Sequence, residues 1–212
     1  MRLLNSRFDD KLGREIILVE DQGRIKIMYK KSNTSTTIST LELPLSVHIN
    51  ITNRCNLNCT HCYAGKYINK QEESSVEKYI YEIIDKLYIN RIFILEWSGG
   101  EPFIYENFCN VLEYADNLNF YQSILTNGVL LNDEILVKRL SKLNLSLEVS
   151  VDGDQNAVDY IKGEGIYGQI RSGIASAIDA GIPTIAKITI LEENIGTYEK
   201  IIQDMMKLSV RT

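Results

Sequence analysis

The order of apolar and polar positions predicts a repeated alternation of strands and helices that starts near Leu45. Short apolar runs, typical of buried strands, alternate with longer segments in which apolar residues recur at helical spacing. This alternation indicates an α/β fold with a parallel sheet, built either as a barrel or as an open doubly wound sheet. The predicted strands are 45–51, 92–97, 122–125, 145–151 and 184–190, and the predicted helices are 74–89, 108–118, 132–143, 167–180 and 198–208.

Residues at the predicted helix ends support this division of the chain. Ser74 and Glu77 have the spacing of a capping box at the start of the first helix. Asn132 is expected to cap the third helix, and Gly181 is expected to end the fourth.

The first 43 residues differ in pattern, so we expect a separate segment, 1–43, before a barrel-type core, 44–212. Two apolar-rich runs, 15–20 and 24–29, flank Asp21-Gln22-Gly23 and predict a β-hairpin. Residues 30–40 are rich in Ser and Thr and predict a linker or an exposed loop.

Composition and charge narrow the class of protein. A chain of 212 residues with 44% hydrophobic and 24% charged residues suits one packed α/β domain. The net charge of -5 argues against a nucleic-acid-binding protein. No apolar run reaches the roughly 18 residues that a membrane helix needs, and the first ten residues are too polar for a signal peptide. We therefore expect a cytoplasmic protein that does not interact with a membrane.

Three of the four cysteines lie within eight residues, in the segment Cys55-Asn-Leu-Asn-Cys59-Thr-His-Cys62 that follows the first predicted core strand. In a reducing compartment such a cluster indicates metal binding rather than disulfides. Three thiolates that hold a four-iron cluster leave one iron open for chemistry. A structural zinc site, completed by His61 or His48, is the alternative.

Three further segments with unusual residues follow later predicted strands. Because the carboxyl ends of parallel strands meet on one rim of a sheet, these segments and the cysteines are expected to lie together, where barrel enzymes keep their active sites. The segments are Gly99-Gly100-Glu101-Pro102, Thr126-Asn127-Gly128 and Ser150-Val151-Asp152-Gly153.

These motifs resemble those of radical S-adenosylmethionine (SAM) enzymes, and the resemblance covers residues from about Leu45 to Leu208. It implies that Cys55, Cys59 and Cys62 hold a 4Fe-4S cluster, with His61 at the motif's aromatic position. It also implies reductive cleavage of SAM to methionine and a 5′-deoxyadenosyl radical that abstracts hydrogen from a substrate. The residues expected to contact SAM or face its site are His61, Gly99, Gly100, Glu101, Pro102, Thr126, Asn127, Ser150 and Asp152.

The resemblance implies that Gly99, Gly100 and Glu101 hold the methionyl amino group of SAM, partly through backbone carbonyls. Ser150 is expected to contact the ribose or carboxylate, and Asp152 to face the site or substrate. The segment from Asp159 to Tyr167 resembles a further motif of the peptide-modifying subgroup, with Lys162 in place of its usual Arg. A lysine keeps the charge without the two-pronged geometry of Arg, so a solvated loop lysine is the alternative interpretation.

The motif set is most similar to the peptide- and protein-modifying subgroup that carries a cysteine-rich carboxyl-terminal domain. The expected partners are therefore a peptide or small-molecule substrate and a reducing electron donor of the flavodoxin or ferredoxin type. Only Ser209-Val210-Arg211-Thr212 follows the fifth helix, so we expect a partial six-unit barrel truncated after its fifth unit. The chain is then a fragment or a naturally short relative. Two alternatives remain: a small radical-activating or heterocycle-rearranging enzyme, and a truncated module that binds the cluster or SAM without catalysis.

Overall fold

The computed structural model describes residues 1–21, 24–30, 41–69, 76–208 and 210. The residues of the predicted Asp21–Gly23 turn beyond Asp21, most of the predicted linker, and the Ser74 cap lie outside these ranges. The described part of the chain forms two sheets, one of three strands and one of five.

The amino-terminal sheet has three antiparallel strands, β1 (Arg2–Asp9), β2 (Arg14–Asp21) and β3 (Arg24–Tyr29). The prediction of a simple hairpin was incomplete, because β1 pairs with β2 along nearly its whole length. Ile16 and Leu18 of β2 are fully buried and pack with Phe93 from the core of the chain. This shared apolar cluster attaches the sheet to the rest of the fold.

Arg7 on β1 ties the amino-terminal sheet to the larger one. Its guanidinium donates to the backbone oxygens of Pro44, at 3.0 Å, and Arg91, at 3.2 Å, and also to that of Leu43. It also lies over the ring of Phe93, 5.2 Å from the centroid. Arg7 is buried, and these carbonyl oxygens and the face of the Phe93 ring compensate its positive charge.

Replacing Arg7 with Met is expected to lower the free energy of unfolding by about 1–3 kcal/mol, because buried carbonyl groups lose their donor. Chemical denaturation of the two proteins measures this difference. Arg2→Met is the matched control, since Arg2 pairs with Glu20 at the surface and an exposed pair contributes only about 0–1 kcal/mol. Equal stability of the Arg7 and Arg2 variants would contradict the anchoring role.

The larger sheet is fully parallel, with its strands in sequence order. This confirms the predicted α/β class and matches a partial radical SAM barrel in its five strand–helix units. Its strands are β4 (Ser46–Thr52), β5 (Ile94–Gly99), β6 (Tyr121–Thr126), β7 (Leu145–Ser150) and β8 (Thr184–Lys187).

In the part of the chain that the structure describes, six α-helices and two short 3-10 helices connect and cover these strands. The 3-10 helices are Pro102–Ile104 and Val129–Asn132. The α-helices are α1 (Val76–Ile89), α2 (Phe108–Asn117), α3 (Glu134–Leu140), α4 (Gln155–Lys162), α5 (Ile166–Asp179) and α6 (Tyr198–Lys207).

The two faces of the parallel sheet differ in polarity. Alternate strand residues, such as Trp97 and Leu147, are fully buried in a core shared with the helices. The opposite face, here called the inner face, is mostly polar because side chains alternate along a strand. The inner face includes His48, Asn50, Glu96, Ser98, Ser123, Ser146 and Glu148.

Several predicted element ends were displaced. Asn132 does not cap α3: the carboxylate of Asp133 does so, accepting from the backbone N–H of Ile135 at 2.8 Å. Strand β8 ends at Lys187, because the Thr189 N–H turns away to donate to the carboxylate of Asp152. Helix α4 was not among the predicted helices.

Within the described ranges, we find no helix that combines the length and apolar character needed to cross a membrane.

Candidate functional site

The three cysteines of the predicted motif line one cavity of about 270 Å³ at the carboxyl ends of the parallel strands. Cys55, Cys59 and Cys62 are half-buried free thiols. The fold therefore brings the cysteine segment together with the other strand ends, as their order along a parallel sheet implies. The other predicted site residues that line this cavity are His61, Gly99, Gly100, Thr126, Asn127, Ser150 and Asp152.

A larger groove of about 520 Å³ lies at the opposite end of the sheet. It is lined by the first residues of β6 and β7, Tyr121 and Leu145, and by Arg2 from the amino-terminal sheet. None of the predicted site residues reaches it. Size alone therefore does not locate the chemistry of this protein, and the smaller cavity is the candidate active site.

Side-chain amides hold the first cysteine in place. Asn69 brackets Cys55, accepting from its N–H at 3.1 Å and donating to its carbonyl oxygen at 3.1 Å. Asn127, at the end of β6, donates to the side-chain oxygen of Asn56 at 2.7 Å. These bonds attach the cysteine segment both to the loop that follows it and to the sheet.

The three thiols are only partly exposed to solvent. Burial raises the pKa of Cys55 and of Cys59, and nearby Lys162 opposes the change at Cys59. Thiolates are the form that binds metal, and a coordinating metal deprotonates the thiol itself. The three cysteines are therefore expected to become thiolates when iron binds and balances their negative charge.

Gly99 and Gly100 pack directly against the backbone that leads into the cysteine segment. The N–H of Gly100 donates to the backbone oxygen of Thr52 at 2.7 Å, and the N–H of Glu101 donates to that of Arg54 at 2.8 Å. A Cβ on Gly99 would lie 2.2 Å from the Thr52 oxygen, and one on Gly100 would lie 2.0 Å from the Arg54 oxygen. Only glycine allows the end of β5 to approach so closely.

The Glu101 side chain does not line the cavity, and neither does Pro102. The Glu101 carboxylate is fully buried and accepts from the Thr126 hydroxyl and the Asn127 N–H, each at 2.8 Å, and from the Phe103 N–H at 3.3 Å. It thus joins the ends of β5 and β6 from below the rim. Any contact of this segment with the SAM amine is left to its backbone, and that contact stays a prediction.

Glu101 gives the stability of the protein a characteristic pH dependence. Burial raises the pKa of its carboxyl from 4.5 to about 7, against the opposing effect of its hydrogen bonds. Between these pH values the folded chain retains a proton that the unfolded chain has lost. The free energy of unfolding is therefore expected to fall by about 3 kcal/mol from this group as pH rises through that range.

The measurement is urea denaturation of the wild type and of Glu101→Gln at several pH values from 4.5 to 8. The amide does not titrate, so the stability difference between the two proteins should shift in favour of Glu101→Gln as pH rises. A pH-independent difference would contradict the assignment of this titration to Glu101.

Asp152 is a buried carboxylate held from several sides. Its Oδ2 accepts from the Ser150 hydroxyl at 2.5 Å and lies 3.0 Å from the Lys162 ammonium, and its Oδ1 accepts from the Thr189 N–H at 2.9 Å. Burial acts to raise its pKa, but Lys162 and these hydrogen bonds outweigh burial and leave the pKa below its ordinary value. Nε2 of His61 lies 3.4 Å from the same Oδ2.

The donor set favours an iron–sulfur cluster over a single zinc ion. A four-iron cluster distributes its cysteines over different irons, so three cysteines suffice to hold it and no histidine ligand is required. The ring of His48 contacts Ser98 Oγ at 2.9 Å and does not line the cavity, and Nε2 of His61 lies 3.4 Å from Asp152 Oδ2. The three thiols and the adjoining cavity fit the cluster and SAM.

The sequence interpretation missed Lys162 as a residue of the cavity. Lys162 ends α4 and is almost completely buried, so the alternative interpretation of a solvated loop lysine was wrong. A signal was present in the sequence: Asp154 precedes a short segment with Ala157, Val158 and Ile161 at helical spacing. Asp154 does cap α4, accepting from the N–H of Ala157 at 3.2 Å.

This chain belongs to the radical SAM superfamily, whose sequence profile it matches over residues 49–205. Members of this family use a 4Fe-4S cluster and SAM, and the resemblance inferred from the motifs is confirmed.

Two curated relatives come from Bacillus subtilis strain 168. The sporulation killing factor maturation protein SkfB is 31% identical over 163 residues, which cover 76% of this chain and 39% of SkfB. The antilisterial bacteriocin subtilosin biosynthesis protein AlbA is 28% identical over 184 residues, which cover 84% of this chain and 41% of AlbA. The chain thus spans about two fifths of the length of these relatives.

The fold is similar to that of Streptococcus suis SuiB bound to S-adenosylmethionine, with a TM-score of 0.71 and 18% identity. The match covers 80% of this chain and 40% of SuiB. At this level of identity the similarity establishes the shared fold, including the partial barrel.

Proposed function

We propose that this chain is the cofactor-binding domain of an enzyme that cleaves SAM reductively and abstracts hydrogen from a peptide. The observation that carries the proposal is the single cavity in which Cys55, Cys59 and Cys62 meet three other strand ends. When bound, the reduced cluster supplies the electron that cleaves SAM into methionine and a 5′-deoxyadenosyl radical.

The residues of this chain hold and orient the cofactors. The three cysteines would provide thiolates for three irons. The backbone of Gly99 and Gly100 forms part of the cavity wall. The half-buried Ser150 lies on the same wall, and because its hydroxyl proton is donated to Asp152, its oxygen is left to accept from a ribose hydroxyl. The buried sheet beneath the rim excludes water from one side of the site, which protects a reactive species from side reactions.

A peptide is the substrate class that the relatives favour. SkfB is named as a maturation protein and AlbA as a bacteriocin biosynthesis protein. SuiB has also been crystallised with its precursor peptide SuiA. The inner face of the sheet adjoins the cavity through Ser98 and offers polar groups, such as His48 and Glu96, to a peptide backbone.

The remaining parts of the proposal follow from this chemistry. Residues 44–212 form the catalytic core, and residues 1–43 form an accessory segment. A small reducing protein of the flavodoxin or ferredoxin type delivers the electron. Free thiols that hold a cluster require a reducing compartment, which favours a cytoplasmic location.

The experiment that tests the proposal is a product assay without oxygen. The protein is reconstituted with iron and sulfide, reduced with dithionite and incubated with SAM. We expect 5′-deoxyadenosine and methionine in equal amounts. A protein that holds its cluster yet forms neither product would instead be a binding module without catalysis.

The peptide has its own test, in which SAM cleavage is run with fully deuterated candidate peptides. Transfer of hydrogen from the peptide adds one deuterium to 5′-deoxyadenosine, which mass spectrometry detects. Unlabelled 5′-deoxyadenosine with every peptide, and labelled product with a deuterated small molecule, would contradict a peptide substrate.

A further inference from the structure

A second, smaller cavity of about 210 Å³ adjoins the candidate active site. Tyr63 and Gly99 line both cavities, whereas none of the three cysteines lines the smaller one. We propose that this cavity, here called the tyrosine pocket, binds an aromatic residue of the peptide substrate, an inference that rests on the proposed function. The described residues that line the tyrosine pocket are Asn50, Asn53, Tyr63, Ala64, Tyr67 and Gly99.

The lining of the tyrosine pocket is polar but carries no charge. Its described lining residues are two amides, two phenols, one alanine and one glycine. Bringing a charged group into such a site costs free energy, because no opposite charge compensates it. The class of ligand that fits is therefore neutral and able to form hydrogen bonds.

The size of the tyrosine pocket and its two rings favour an aromatic side chain. A protein cavity of about 150 Å³ binds benzene. The tyrosine pocket, at about 210 Å³, therefore has room for one aromatic ring. Tyr63 is 79% exposed and Tyr67 is 58% exposed, so both rings have surface to bury against a ligand. Pairs of aromatic rings are favourable beyond the area that they bury.

Hydrogen bonds from the sheet orient the Asn50 amide. Ser98 donates its hydroxyl to Asn50 Oδ1 at 3.0 Å, and Nε2 of His48 lies 2.9 Å from Ser98 Oγ and 3.2 Å from Asn50 Oδ1. Within the described ranges, the side-chain hydrogen bonds of Asn50 use Oδ1. Its Nδ2 group is therefore left to donate to a ligand, and a backbone carbonyl of a peptide is a matching acceptor.

Backbone hydrogen bonds join the two sides of the tyrosine pocket. The N–H of Tyr67 donates to the backbone oxygen of Ala64 at 2.8 Å, and the N–H of Asn69 donates to that of Asn53 at 3.1 Å. The first bond fixes the turn that carries Tyr67, and the second attaches the end of this segment to the residue that follows β4. The tyrosine pocket is therefore formed without a bound peptide.

The test uses small amides that mimic one residue of a peptide. Saturation-transfer NMR measures the binding of N-acetylphenylalaninamide, of its aspartate counterpart and of free phenylalanine to the reconstituted protein. We expect N-acetylphenylalaninamide to bind roughly tenfold or more tightly than the other two, because the aspartate side chain and both ends of free phenylalanine are charged. Equal binding of the aspartate compound, or tighter binding of free phenylalanine, would overturn the inference.

Tyr67→Ala tests the location of the binding, because Tyr67, unlike Tyr63, does not line the cavity of the cysteines. It is expected to weaken the binding of N-acetylphenylalaninamide by roughly 2–10-fold, the effect of losing one aromatic contact. Tyr67→Phe keeps the ring and should restore the affinity. Tyr160→Ala is the matched control, since Tyr160 is 70% exposed on α4 and lines neither cavity. Unchanged affinity in Tyr67→Ala would overturn the inference.

Failure of this inference can be told apart from failure of the proposed function. SAM cleavage by a protein that shows no preference for N-acetylphenylalaninamide would overturn the inference alone. Selective binding that Tyr67→Ala weakens, in a protein that does not cleave SAM, would support an aromatic-binding pocket and contradict the proposed function. With a peptide that transfers deuterium to 5′-deoxyadenosine, Tyr67→Ala should raise the KM for the peptide more than it lowers kcat; an unchanged KM would overturn the inference.

Discussion

Replacing Cys59 with alanine is expected to reduce SAM cleavage by about a thousandfold or more, the size of loss that follows removal of an essential catalytic group. The same result is expected for Cys55 and Cys62. The three thiols line the same cavity, and a cluster with only two protein ligands is not held in place. The measurement is the rate of 5′-deoxyadenosine formation by each reconstituted and reduced variant.

Cys109→Ala is the matched control for this experiment. Cys109 is also a half-buried free thiol, on α2, but it does not line the cavity. Its pKa is raised by burial, as are those of Cys55 and Cys59, so a raised pKa does not distinguish the ligands. We expect Cys109→Ala to retain its cluster and near wild-type activity. Full activity in a Cys55, Cys59 or Cys62 variant would contradict the account.

Replacing Gly100 with alanine is expected to abolish SAM binding and to destabilise the fold by about 1–3 kcal/mol or more, as overpacking does. The added Cβ would lie 2.0 Å from the backbone oxygen of Arg54 and 2.6 Å from its carbonyl carbon. Both neighbours belong to backbone that cannot rotate away. To accommodate the methyl group, the end of β5 must separate from the start of the cysteine segment.

Gly168→Ala separates this clash from a general effect of adding a methyl group. Gly168 lies within α5, and a Cβ there would meet nothing within 4 Å. Alanine is about 1 kcal/mol more favourable than glycine inside a helix, so this variant should be as stable as the wild type or more so. Thermal melting and a SAM titration of the cluster signal measure both effects. Normal SAM binding by Gly100→Ala would show that the close approach of Gly100 to the Arg54 backbone is not required.

The location of the site could be predicted from the sequence because it depends on topology. The motifs at Cys55–Cys62, Gly99–Pro102, Thr126–Gly128 and Ser150–Gly153 each follow a strand, and parallel strands all end on one rim. The cavity lined by residues of all four segments follows from that order. The exact contacts within the cavity could not be predicted from that order. The Glu101 carboxylate, for example, does not line the cavity but accepts hydrogen bonds from Thr126 and Asn127.

Features that depend on distant partners were not predictable in the same way. Strand β1 has few apolar residues, and it is formed by its tertiary pairing with β2 rather than by a local sequence pattern. Asn132 and Asp133 are adjacent and chemically similar caps, so the backbone geometry decides between them. The helix that carries Lys162 has a local signal in the sequence, but the burial of Lys162 depends on its contacts with Asp152 and Ser150, which no local spacing reveals.

The central claim is that this chain holds a cluster with an iron that binds SAM. Its most direct test is the electron paramagnetic resonance spectrum of the reconstituted, reduced protein, recorded with and without SAM. We expect the signal of a reduced 4Fe-4S cluster, altered in position or shape when SAM is added. A cluster signal that SAM leaves unchanged, or bound zinc with no cluster signal, would contradict the account.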